Sequence, residues 1–119
     1  MANSVMLDNA KKFAVALVDV CRVAKERKKE SVLINQLLRS GTSVGANIHE
    51  SKYAHSNADF ISKMQIALKE CYETEYWLDL LFETNCITKE EYEPLRNQCG
   101  SIRRMLISSI NTSKKKSDD

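Results

Sequence analysis

Two histidines, four cysteines and a loose group of carboxylates are the side chains of this sequence best equipped for chemistry, and spacing argues against each in turn. His49 and His55 stand six residues apart, on different sides of a helix, whereas paired helical metal ligands share a face at i and i+4. They are expected at the surface. Cys21, Cys71, Cys86 and Cys99 are widely spaced and form no C-x-x-C pair, so reduced thiols are expected rather than a disulfide framework. A free cysteine behaves as a small buried hydrophobe, and a metal site would require three of these thiols at one level. Glu70, Glu73 and Asp79 fall short of a di-metal bundle site, which adds Glu-x-x-His pairs that this chain lacks. A solvated acidic face is expected instead. Neither histidine is placed as a base for a particular Ser or Cys, so no enzyme activity, cofactor or metal is expected.

Basic residues offer the other chemistry, contact with phosphate. The candidates are Lys11, Lys12, Arg22, Lys25, Arg27, Lys28 and Lys29, joined by Lys114, Lys115 and Lys116 near the end. Net charge is only +2, but residues 1–55 hold nine Lys+Arg against five Asp+Glu, while residues 56–113 hold six against nine. That asymmetry suits either a basic face for an anionic partner or the orientation of subunits. One copy would bind phosphate weakly. An oligomer repeats each patch and adds avidity. No aromatic residue interleaves with the basic cluster as a stacking platform would.

The elements that carry these residues are read from apolar spacing. With 119 residues, 43% hydrophobic and only three Gly and one Pro, the chain suits a single all-α domain. Ala10, Phe13, Leu17, Cys21 and Ala24 mark a first helical stripe, with Asn3 or Ser4 as its cap. KERKKES, residues 25–31, breaks the phase and predicts a connection. Ile34, Leu37, Gly41, Val44 and Ile48 mark the second stripe, and Phe60, Met64, Ala67, Cys71, Thr74, Leu78 and Leu81 the third. Ser56 with Asp59 resembles a capping box; Thr88 with Glu91 forms one outright, flanked by the staple positions Ile87 and Tyr92. Tyr92, Leu95, Cys99, Ile102, Leu106 and Ser109 carry the fourth stripe. Four such helices with short connections predict an antiparallel up-down-up-down four-helix bundle over residues 1–113, followed by a mobile polar tail, 114–119. The apolar run from Phe13 to Val18 is too short for a membrane span, so a soluble, cytoplasmic protein is expected.

The stretch RSGTSVGANIHES, residues 39–51, stands out because positions 40 to 49 carry no charge. At the chain's own 29% charge frequency such a run arises about 3% of the time by chance. It lacks the order of a phosphate-binding loop and no strand precedes it. The apolar stripe passes through it unbroken, so it reads as helix. Opposite that stripe lie Arg39, Thr42, Ser43, Ala46, Glu50 and Tyr53, mostly small side chains with a charge near each end. Such a face lets another backbone approach closely, and each glycine costs about 1 kcal/mol of helix propensity unless packing requires it. This face is therefore the expected subunit interface, with Arg39 and Glu50 pairing across it. The alternative is a helix packed within a monomer, its hydroxyls bonded back to i−4 carbonyls.

QLLRSGTSVGANIHES, ADFISKMQIALKECYETEYWLDLL and ITKEEYEPL together resemble the bacterial 23S rRNA intervening-sequence proteins, over about Phe13 to Ile110. The first helix and KERKKES depart from common members, which often carry a proline there. The resemblance implies a left-handed bundle and a homopentameric ring. It also extends to accessory proteins of diversity-generating retroelements, whose pentamers bind nucleic acid and a reverse transcriptase. No catalytic residues are assigned in this family. The expected function is thus a homo-oligomeric interaction module for RNA or DNA, with or without a protein partner. The alternative is a protein-only scaffold.

Overall fold

The computed structural model describes residues 2–27 and 29–118, with side chains for 4–27 and 29–116, and turns each stripe into a helix. These are α1 (Ala2–Glu26), α2 (Ser31–Ser51), α3 (Asn57–Glu83) and α4 (Lys89–Asp118); no strand occurs among the described residues. The stripes face the core as their spacing requires: Phe13, Leu17, Leu37, Met64, Leu78 and Leu106 are all fully buried. Three stripe positions differ. Phe60 and Tyr92 are only partly buried, and at the end of α4 Ile110, not Ser109, turns inward, because the helix drifts out of the assumed phase.

Helix boundaries follow local chemistry. Ser56 accepts from the Asp59 amide at 3.1 Å, but Asp59 reaches back to the His55 amide (3.2 Å) rather than to Ser56, so the box closes one residue early. The Thr88–Glu91 box is complete, at 3.2 Å and 2.8 Å. Between α3 and α4, Asn85 adopts φ 63°, the Cys86 amide bonds Leu81 O (2.8 Å), and the Asn85 amide bonds Phe82 O (3.1 Å). That is a Schellman closure, with asparagine in the place usually given to glycine. Two expectations are corrected. α1 begins at Ala2, so Asn3 and Ser4 lie inside it rather than capping it. α4 continues to Asp118, so residues 114–118, expected as mobile tail, are helical.

Each helix packs on its neighbour in sequence, and α4 returns to α1, closing a four-sided rod of 52 × 20 × 20 Å. The tightest approach is α1 on α2. A Cβ added at Gly41 would collide with Leu17 Cδ2, with Phe13 close behind. A Cβ at Gly45 would meet Ala10 Cβ at 3.5 Å and its carbonyl at 3.8 Å, ordinary contact distances. The two glycines therefore differ: one is filled by a neighbouring side chain, while the other has room for a methyl group.

Gly41→Leu is expected to overpack the α1–α2 seam and lower stability by about 1–3 kcal/mol. Gly45→Ala should raise it by about 0.5–1 kcal/mol, through reduced freedom of the unfolded chain. Urea denaturation of both variants checks this; the opposite ranking would contradict the packing described.

Candidate interaction site

Between α1 and α2 the close approach leaves an outward groove of about 360 Å³. From α1 it is lined by Leu7, Ala10, Lys11 and Ala14, and from α2 by Thr42, Gly45, Ala46 and His49. Its walls are short because Ala10 and Gly45 let the two backbones come together. A groove so lined accepts apolar side chains from outside, with Lys11 and His49 as its polar contributors.

The structure divides the face expected as a subunit interface. Thr42 and Ala46 line the groove; Thr42 is half-buried, with its hydroxyl 2.8 Å from Leu38 O, the i−4 back-bond of the monomeric alternative. Ser43 is half-buried, and its carbonyl accepts from Asn47 Nδ2 at 2.9 Å. Glu50 is exposed, as is Tyr53, which lies beyond the end of α2 and meets His49 edge-on at 5.6 Å. Arg39, expected to pair with a neighbouring subunit, reaches in the single chain across to α3, to Glu70 (3.5 Å) and Glu73, while its Nε donates to Gln36 Oε1 at 3.1 Å.

Glu70 and Glu73 are thus held by Arg39, and Trp77 Nε1 also donates to Glu73 at 2.9 Å. Asp79 accepts from Arg96 Nε (3.0 Å) and from the Tyr92 hydroxyl (2.6 Å), a bond that pushes the Tyr92 phenol up to about 12. These three carboxylates are not the solvated acidic face expected from sequence. Beside them, sequence reasoning missed Glu75, only 6% exposed, which is bound by Arg96 and by Arg103 Nε at 2.9 Å. A signal was present: Glu75 and Asp79 lie four apart, Arg96 and Arg103 seven apart, each pair on one helix face. A second oversight is the exposed outer side of α3, where Ile66, Tyr72 and Tyr76 face outward and the Arg103 guanidinium lies 5.8 Å from the Tyr72 ring.

Among the basic candidates, Lys11, Lys12, Lys25 and Lys29 are exposed and enter no ion pair among the described residues. Arg22 is exposed beside Asp19, at 3.4 Å. Arg27 forks onto Glu91, joining the end of α1 to the start of α4, with one arm at 3.0 Å. That contact holds the Glu91 carboxyl below its usual range, first through the Arg27 bond and then through its place in the capping box. Lys28 lies outside the described residues, while Lys114, Lys115 and Lys116 are exposed on α4.

The cysteines are all buried and reduced. Burial pushes the Cys21 thiol up to about 11. Cys71 is held above the ordinary thiol range by its hydrogen bond with Cys99 and by burial; Cys99 Sγ also donates to Cys71 O at 3.6 Å. Cys21 and Cys71, so held, carry little thiolate and are poor nucleophiles. Among the described residues no three His, Cys, Asp or Glu side chains converge as a metal site, and no helix is long and apolar enough to cross a membrane.

Known proteins share this architecture. The family profile described as "23S rRNA-intervening sequence protein" matches residues 2–108. Among solved structures the chain is similar to a protein of unknown function from the S23 ribosomal protein family of Bacteroides thetaiotaomicron VPI-5482, determined at 1.70 Å. The two share 49% identity with a TM-score of 0.89, over 93% of this chain and 99% of that one. No curated protein matches.

Two measurements probe the ionic seams. Glu75→Ala strands the Arg103 guanidinium and leaves Arg96 with Asp79 alone, and should cost about 3 kcal/mol in urea, the low end for a buried pair, since Arg96 and Arg103 remain 32% and 27% exposed and reach water. A loss below about 1 kcal/mol would contradict the seam's role. Because the Glu91 carboxyl is lowered on folding, its contribution is full above its unfolded value and disappears as pH falls through the folded one. Glu91→Gln keeps the capping geometry, so its deficit should be largest near neutrality and shrink progressively once pH falls below the unfolded glutamate value of about 4.3. A deficit independent of pH would contradict the ionic reading.

Proposed function

The chain belongs to the 23S rRNA-intervening sequence protein family, and from that membership we propose a non-enzymatic, homo-oligomeric interaction module that holds RNA or DNA through repeated basic patches. One observation carries the nucleic-acid reading: Lys11, Lys12, Lys25 and Lys29 remain exposed and outside any described ion pair, although the chain has carboxylates enough to neutralise them. Charges left unpaired on one helix and its connection are available to phosphate. Arg27, committed to Glu91, is a structural clamp rather than part of that set.

The bundle belongs to this reading in its finer form, antiparallel and left-handed. Support for the antiparallel course comes from contact pairs whose numbering runs in opposite directions: Cys21 with Ile34 O and Ala10 beside Gly45, Asn57 with Ser113 O and Asp79 with Tyr92. The left-handed sense, the ring of five copies and the kinship with retroelement accessory proteins rest on the sequence resemblance. A cytoplasmic setting suits the rRNA-related family and its reduced cysteines. Oligomerisation matters to the function because a single patch of four lysines is weak at cellular salt, whereas repeated copies engage one strand together.

Affinity for mixed-sequence RNA and DNA, followed by fluorescence anisotropy across a salt series, is expected to fall steeply and linearly on logarithmic axes. Lys12→Ala or Lys25→Ala should weaken binding to all sequences alike and make the salt slope shallower by about one for each phosphate no longer neutralised. Absence of binding at about 50 mM salt would leave the protein-only scaffold as the reading.

A further inference from the structure

Two surfaces of this bundle are shaped as converses. The α1–α2 groove is concave and its walls stop short, at Ala10, Ala14, Thr42, Gly45 and Ala46. The outer side of α3 is a ridge: Ile66 is 41% exposed, Tyr72 52% and Tyr76 60%, with Tyr72 and Tyr76 one turn apart on the same face. Arg103 of α4 against the Tyr72 ring puts that ridge toward the α3–α4 edge. Because the helices pack in cyclic order, the α1–α2 and α3–α4 edges lie on opposite sides of the rod. One copy therefore presents a socket on one side and a projecting aromatic pair on the other.

Charge selects which surface meets which. Residues 1–55, which contain α1 and α2, carry nine Lys+Arg against five Asp+Glu, a net +4; residues 56–113, with α3 and most of α4, carry six against nine, a net −3. Joining two grooves face to face would oppose like charge with like. Joining the α1–α2 edge of one copy to the α3–α4 edge of the next brings unlike charges together. Tyrosine suits the role, since its ring offers large apolar area at low entropic cost while its hydroxyl stays wet.

We propose that Tyr72 and Tyr76 of one copy seat in the α1–α2 groove of a second copy, making a head-to-tail contact. The proposal rests on the homo-oligomer reading above and specifies its surfaces. Such a contact is not self-complementary: each copy uses its socket for one neighbour and its ridge for the other, and the assembly closes as a ring or continues as a filament. The charge-free run of α2 is then explained from both directions. Gly41 admits Leu17 from within, and Ala46 leaves room for a ring from without.

The test separates the two halves of the contact. Ala46→Arg, or Ala14→Arg on α1, fills the socket and leaves the ridge; the double variant Tyr72→Ala, Tyr76→Ala removes the ridge and leaves the socket. With helicity confirmed by circular dichroism, light scattering should report each variant alone at the 13.6 kDa chain mass. An equimolar mixture of a socket variant and the ridge variant should yield a single pair of twice that mass, because one intact socket meets one intact ridge. A wild-type oligomer that keeps its mass without the two tyrosines, or folded variants that stay monomeric on mixing, would overturn this contact while leaving assembly itself standing. A wild-type chain that is monomeric would remove the assembly reading beneath it.

Discussion

Close packing of α1 against α2 is the constraint from which the other features follow. Leu17 occupies the space that a side chain at Gly41 would need, and Ala10 meets the backbone at Gly45. Gly41 costs about 1 kcal/mol of helix propensity relative to alanine, and the fit of Leu17 and Phe13 into the core compensates for it, whereas Gly45 has room for a methyl group. The same approach sets the depth of the outward groove, because short side chains at the seam leave nothing tall enough to fill it. Core packing and surface shape are thus two consequences of one small-residue seam.

The remaining seams are held by a different chemistry. α2 and α3 share a buried hydroxyl contact, Thr74 with Ser40 at 3.0 Å, and the Arg39 fork to Glu70 and Glu73. α3 and α4 share the chain Tyr92–Asp79–Arg96–Glu75–Arg103, in which both Glu75 oxygens find a guanidinium donor. Among the described residues no buried side-chain nitrogen or oxygen lacks a partner. Such directional pairs fix the relative register of the helices, which apolar contacts alone specify poorly.

What could be read in the sequence was what depends on local periodicity. Ala10, Phe13, Leu17, Cys21 and Ala24 are buried because a helix repeats every 3.6 residues, and a stripe records that without reference to any neighbour. The capping residues Ser56 and Thr88 were legible for the same reason, each acting within one turn. Partners distant in sequence were not. Arg39 looked free to meet another subunit because nothing local engages its charge; Glu73 is 34 residues away and meets it only after α2 and α3 pack. Glu75 was hidden similarly, its burial depending on two arginines of another helix. The groove was half legible: Thr42 and Ala46 were recognised as small and outward, but that Ala10 and Ala14 face them is a tertiary fact. Their i, i+4 spacing on α1 was the available clue.

The family match and the 49% identical structure from Bacteroides agree on the fold, and the proposed assembly turns on whether a second copy covers the α1–α2 seam. Native mass spectrometry of the wild-type chain, over the range of concentrations at which it is handled, addresses this most directly. A discrete assembly whose mass is an integral multiple of 13.6 kDa is the expected result. A single chain of 13.6 kDa at every concentration would contradict it.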